Sequence, residues 1–312
     1  MNQIYRKSPF WSLAGPMLGY LVIQFAVQFA AQLVIEMPYV MRAYAEILRG
    51  SSDTVPSMQE LLNSYMQTLE PAFEAIVRYQ VEIAALSALG TIVLTGILFA
   101  RDRKLEQKAG VILPERAPLS KYWTVVIFGI AGCIAATCLM AMVQLAFYDE
   151  QYQQTAQITY SAGLLVQIIG LGIVTPVAEE LMFRGVLYKR FRERQGFWYS
   201  ALWSSLLFSF MHSNTTQMVY TFLLGVLLSY LYEKFGSFKA PLVLHILLNT
   251  GSVVFTELGV FRYLAGSPAR MAGAVIAGAF LCSVMFVVIQ RMPVRIESRL
   301  NTNDTDRHDM FS

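Results

Sequence analysis

Eight apolar stretches, most of them near the ~20 residues that cross a bilayer core, constrain this chain more than any other feature. They cover approximately residues 10–35, 81–100, 122–147, 161–187, 197–211, 218–232, 240–258 and 271–290. Backbone N–H and C=O groups cannot stay unpaired in lipid, so segments of this length and composition are expected to be helices. The expected fold is therefore all-α: a polytopic membrane bundle of about eight transmembrane helices. Only 14% of the 312 residues are charged, against about 25% in a soluble domain, so a water-exposed globule could not be coated. The fifth and sixth stretches are short, which suggests tilting or partial spanning.

The charges are sorted by side. With the N-terminus placed in the cytoplasm and eight alternating spans, 18 of the 24 Lys and Arg residues fall on the inside and five on the outside. This is the positive-inside bias of an integral membrane protein. It predicts both termini in the cytoplasm and a plasma-membrane location. The first stretch follows Arg6 and Lys7 and is too long for a signal-peptide core, so it reads as a retained anchor. Cys133, Cys138 and Cys282 lie in apolar runs without metal-ligand spacing and read as small core residues. No basic tract with interleaved aromatics is present, so nucleic acid is not an expected partner.

Between about residues 36 and 80 lies a longer outside segment. Ser57 and Glu60, after Pro56, have capping-box spacing. Met58, Leu61, Leu62, Tyr65, Met66 and Leu69 then follow the period of an amphipathic helix near 56–80. Such a helix could rest on the membrane, cover a cavity or receive a partner protein. The organisation expected is three N-terminal helices and this amphipathic element in 1–159, a core of four helices in 160–258, a last helix in 259–291 and a disordered tail in 292–312.

Within the fourth stretch stand Glu179, Glu180 and Arg184. Three unpaired charges there would cost on the order of 8–10 kcal/mol, so they must be paired or hydrated. Glu180 and Arg184 are i and i+4 in the favourable order. Glu179 is rotated about 100° away, which leaves it as the carboxylate free to act as a general base. His212 ends the fifth stretch, with Phe208 four residues before it as an aromatic wall. His245 lies in the seventh, with Asn249 at i+4 on the same face, where the two could converge on one oxygen. One geometric difficulty stands out. Counted from Gly196, His212 is about 24 Å deep, whereas Glu179 is about 15 Å from Lys189. The fifth segment must then tilt strongly or start below the interface.

Glu179-Glu180-x-x-x-Arg184, Phe208-x-x-x-His212 and His245-x-x-x-Asn249, in that order on three apolar segments, closely resemble the motifs of the CAAX protease and bacteriocin-processing (CPBP, or Abi) family. That family includes the type II CAAX prenyl endopeptidases, and the resemblance covers roughly residues 160–254. It implies a helical intramembrane endopeptidase acting on a membrane-associated peptide or protein. Glu179 and His212 would activate water, His245 and Asn249 would stabilise the oxyanion, and Glu180 and Arg184 would support the site. Members are often described as metalloproteases, yet the H-E-x-x-H helix of common zinc proteases is absent. The expectation is hydrolysis without a metal or other cofactor. The alternative is a zinc site formed by Glu179, His212 and His245, which would remove His245 from the oxyanion hole. Two non-peptidase readings also fit buried carboxylate–histidine sets: a non-catalytic scaffold or immunity protein, and a proton-coupled transporter. The latter predicts an internal inverted repeat, which the sequence does not show.

Overall fold

A computed structural model describes residues 8–50, 57–111, 115–146, 149–212 and 214–292. Among these residues there is no strand. The chain forms α1 (Pro9–Gly50), α2 (Met58–Arg78), α3 (Gln80–Lys108), α4 (Trp123–Ala146), α5 (Glu150–Ser161) and α6 (Leu164–Arg192). It continues as α7 (Phe197–Ser209), α8 (Thr215–Phe235), α9 (Lys239–Glu257), α10 (Val260–Ala265) and α11 (Pro268–Gln290). Seven of these are long and apolar enough to cross a bilayer: α1, α3, α4, α6, α8, α9 and α11. The protein is a polytopic helical membrane protein.

The eighth expected span is α7, which has 13 residues and is about 20 Å long. Together with the segment that leads into α8, it carries the chain from one end of the bundle to the other. At one end of α8, Ala117 N–H donates to the Phe235 carbonyl and Tyr122 meets the Phe235 ring at 5.1 Å, both just before α4 begins. At the other end, Thr216 meets Asp149, just after α4 ends. α8 is therefore antiparallel to α4, and α7 supplies the crossing that reaches its start.

The core has three parts, the smallest being Tyr188, Phe197 and Ala201 of α6 and α7. Val125, Leu224, Leu228, Leu244, Leu248 and Ile289 join α4, α8, α9 and α11. Tyr20, Met182, Phe183, Leu187 and Phe208 join α1, α6 and α7. These side chains are interior in a chain whose other apolar faces look outward to lipid, as Val22, Phe25, Val93 and Ile276 do.

α1 has 42 residues and is about 63 Å long, roughly twice the hydrocarbon thickness. It packs against α2, on which Ala72 is buried. The expected amphipathic helix is present, but Met58, Leu62 and Met66 are exposed on it. The capping box depends on the Glu60 side chain and on Pro56, and the expected tail begins beyond Met292; these lie outside the described residues.

α5 lies at the end of the bundle opposite the basic residues of α6 and is fastened at both of its own ends. Asp149 caps it, with Oδ1 accepting from Tyr152 N–H at 3.1 Å and Oδ2 from the Thr216 hydroxyl at 2.7 Å. At its far end the Tyr160 and Ser252 hydroxyls are 2.7 Å apart. The Thr216 bond, followed by the Tyr152 bond, holds the Asp149 carboxyl below its ordinary 3.8. A carboxyl lowered by folding contributes in full above its ordinary value, and that contribution is lost as pH falls through the lowered one. Amide exchange of α5 in detergent should show protection at neutral pH that disappears below about pH 4. Asp149→Ala should lack that acid-dependent step; an unaltered step in this variant would show that another group controls it.

Candidate active site

The site is built on an irregular helix. Within α6, residues Gln167–Val174 and Leu181–Tyr188 are π-helical and flank the α-helical turn Thr175–Glu180. π segments are frequent at functional sites because they widen the helix and release backbone groups. Here the released groups can be named. Pro176 has no N–H, so the carbonyls of Leu171 and Gly172, at i−5 and i−4, lack its donor. Asn249 Nδ2–H donates to the Leu171 carbonyl at 3.1 Å, and the Thr250 hydroxyl donates to the Gly172 carbonyl at 3.2 Å. Gly172 makes the approach possible, because a Cβ there would lie 2.6 Å from Thr250 Oγ1. The missing proline donor and the missing glycine side chain thus dock α9 against α6.

This docking brings His245 between the two glutamates. Its Nδ1 is 3.0 Å from Glu180 Oε1, and its Nε2 is 3.6 Å from Glu179 Oε2. The same Oε1 accepts from Arg184 Nη1 at 2.9 Å, with both side chains fully buried. The i, i+4 pair expected from the sequence is therefore present, and Glu180 serves two partners rather than one. Glu179 keeps 14% side-chain exposure, which leaves it the more accessible of the two carboxylates.

Phe208 gathers the remaining groups. Its ring is 5.1 Å from that of His212 and 5.9 Å from that of His245, both edge-on, and 4.5 Å from the Arg184 guanidinium. A desolvated cation–π contact contributes about 2 kcal/mol, which helps offset the burial of Arg184. Arg184 and Ser205 also crowd Gly225 on α8: a Cβ there would be 3.1 Å from Nη2 and 2.8 Å from Oγ. His212 sits in the turn after α7, half-buried, with Nδ1 3.2 Å from the Phe208 carbonyl. A carbonyl only accepts, so that contact requires hydrogen on Nδ1 and leaves the Nε2 lone pair available.

The depth difficulty resolves through the path of α7. Phe197 packs with Tyr188, and Phe208 with Phe183 at 5.2 Å. Eleven residues of α7, about 16 Å, thus run alongside five of α6, about 8 Å. α7 crosses α6 obliquely, so His212 does not rise as far as an upright helix would carry it.

Among the described residues, no three His, Cys, Asp or Glu side chains converge closely enough to hold a metal ion. Asn249 differs from expectation in detail: one of its two N–H groups is committed to Leu171, not to an oxygen shared with His245. Gly172, Thr250 and Gly225 were not singled out from sequence. The proline four residues after Gly172 is the signal that could have pointed to the first two.

A buried carboxylate–imidazole–guanidinium set between helices defines a membrane protein with an enzyme-like polar centre. Residues 161–251 match the family model described as Type II CAAX prenyl endopeptidase Rce1-like. The matched segment is the part of the chain that carries the three motifs. A Bacillus subtilis (strain 168) protein named "Putative membrane peptidase YdiL" is 28% identical over 116 residues, which is 37% of this chain and 47% of that protein. An Escherichia coli "Uncharacterized 24.3 kDa protein" is 31% identical over 97 residues, 30% of this chain and 45% of that one. The chain spans less than half the length of either relative. No solved structure matches.

The buried pair gives a stability test. Removing one partner of a buried ion pair costs about 3–5 kcal/mol because the other charge is left uncompensated. Arg184→Met should lower stability by about that amount in unfolding titrations in bicelles, and adding Glu180→Gln should recover a substantial part. Equal losses in the single and double variants would show that packing on Phe208, rather than charge, sets the cost.

Proposed function

We propose that this protein is an intramembrane endopeptidase that hydrolyses a peptide bond of a membrane-associated peptide or protein. The observation that carries the reading is the division of labour between the two adjacent glutamates. Glu180 is neutralised by Arg184 and braces His245, while Glu179 stays partly exposed beside the same imidazole. That is the arrangement a general base needs: accessible, oriented, and next to a group able to share its proton.

In this reading Glu179 takes a proton from water as the water oxygen bonds to the scissile carbonyl carbon. His212, with Nδ1–H held by Phe208 and Nε2 open, shares the transfer. The carbonyl electron pair moves onto oxygen, where the second N–H of Asn249 and His245 Nε2–H stabilise it. Nε2 can donate only when both imidazole nitrogens carry hydrogen. In that state Arg184, Glu180, His245 and Glu179 sum to zero charge, which suits a site surrounded by lipid. The C–N bond then breaks, and the amine leaves with the proton that Glu179 and His212 had accepted. No step is routed through a metal or cofactor.

In this reading the Lys189–Arg192 end of α6 and both termini face the cytoplasm, which the positive-inside bias of the sequence supports, and the membrane is the plasma membrane. The family match and the named peptidase relative support the reaction class. The substrate is a peptide or protein that the bilayer presents to the site.

The test uses processing in proteoliposomes of substrates found by comparing membrane peptides from wild-type and Glu179→Ala cells. Glu179→Ala and His212→Ala should each reduce processing by about 10²-fold or more while remaining folded. Unchanged processing in both would remove the peptidase reading and favour the non-catalytic scaffold.

A further inference from the structure

The outward face of α3 carries Leu86, Leu89, Val93 and Ile97, each half exposed or more. At 100° per residue these four fall within an arc of about 80°, the stripe that this helix turns to lipid. Beyond Ala100 the same stripe becomes basic. Arg101, Lys104 and Lys108 are exposed and lie within about 80° of its centre. Asp102 and Glu106, both buried, lie about 150° from those three, on the side that meets α6. There Asp102 holds Arg190 at 2.7 and 3.1 Å, and Glu106 holds Lys189 at 2.5 Å.

Two turns of helix thus sort their charges, carboxylates inward and cations outward. Arg103 stands between and reaches Glu106 at 3.5 Å. Among the described residues no carboxylate pairs with Arg101, Lys104 or Lys108. The 101–108 turns and the two α6 residues they grip hold six cations against two carboxylates, and the excess stands on the lipid side.

Depth identifies what that excess meets. Residues 81–100 of α3 are about 30 Å long, the thickness of the hydrocarbon core. Arg101 is therefore at its edge, with Lys104 about 5 Å and Lys108 about 10 Å beyond. Headgroups fill about 5–7 Å on each side of the core, and a lysine can bend its stem back toward that layer. All three cations thus reach the level of lipid phosphates. A zwitterionic headgroup brings its own ammonium, which three unpaired cations repel, whereas an anionic headgroup brings only the charge they lack.

We infer that the outer face of α3 at this end is a docking site for one anionic phospholipid, its headgroup held by Arg101, Lys104 and Lys108 and its acyl chains lying along Val93 and Ile97. The lipid on one face of the helix offsets the cation excess behind the grip of Asp102 and Glu106 on α6, the helix that carries the two glutamates of the candidate site. The inference does not depend on the peptidase reading.

The test places full-length protein in nanodiscs of dioleoyl phosphatidylcholine alone or in equal mixture with dioleoyl phosphatidylglycerol, the matched chains keeping the bilayer thickness constant. Lipids retained on the protein are read by native mass spectrometry, and unfolding temperature is followed in the same discs. Wild-type protein should retain one phosphatidylglycerol in preference to phosphatidylcholine and should unfold at a higher temperature in the mixed discs. Near an anionic surface each cation contributes about a factor of five. Arg101→Gln, Lys104→Gln and Lys108→Gln should each lower the preference by about that factor, and the triple variant by about 10²-fold, with the gain in unfolding temperature lost. Raised salt should weaken the wild-type preference. The triple variant Arg116→Gln/Lys121→Gln/Lys239→Gln, which removes as much charge from other exposed positions, should behave as the wild type. An equal loss in that control, retention of the preference in the α3 triple variant, or the same rise in unfolding temperature from inorganic phosphate in phosphatidylcholine discs overturns the inference.

Discussion

The contact on which the rest of the site depends is the shared oxygen of Glu180, which accepts from Arg184 and meets His245 at once. A lone carboxylate, guanidinium or imidazole inside a bilayer is costly. Linked through one oxygen, the three groups compensate one another and fix α9 against α6. Phe208 closes over Arg184, and this brings α7 and His212 into place. Glu179 can stay partly open because its neighbour carries the structural burden. The cost of burying charge and the exposure of a carboxylate are thus divided between two adjacent residues on different faces of one helix.

Backbone chemistry supplies the second layer. Pro176 withholds a donor, and Asn249 and Thr250 occupy the carbonyls it would have reached. These two bonds hold α9 in its register on α6. His245, one turn before Asn249, is carried into contact with the glutamates by the same docking. A π-helical deformation that looks like a local irregularity is what aligns two spans.

Much of this was legible in the sequence. Hydrophobic lengths located seven spans and the short α7, and i, i+4 spacing gave the Glu180–Arg184 pair. The three motifs named the polar residues that the fold gathers. Pairwise spacing within one helix could not reveal that Glu180 also holds His245, because that contact depends on how α9 docks. Nor could it show that one Asn249 N–H serves a carbonyl freed by a proline on another helix. The vertical mismatch of His212 and Glu179 was a product of assuming upright helices; the oblique path of α7 is a packing result, set by Phe197 and Phe208 meeting α6 at two close levels.

The shortness of α7 has a consequence for the surrounding lipid. Its outward face carries Trp198 and Tyr199 near one end and Trp203 at its middle, residue types that anchor at the headgroup level. From that anchor the helix extends only about 20 Å, against a hydrocarbon core of about 30 Å. A mismatch of this sign draws the two leaflets together locally. Thinning of the bilayer beside α7 would bring the headgroup region toward His212, where the proposed hydrolysis needs water.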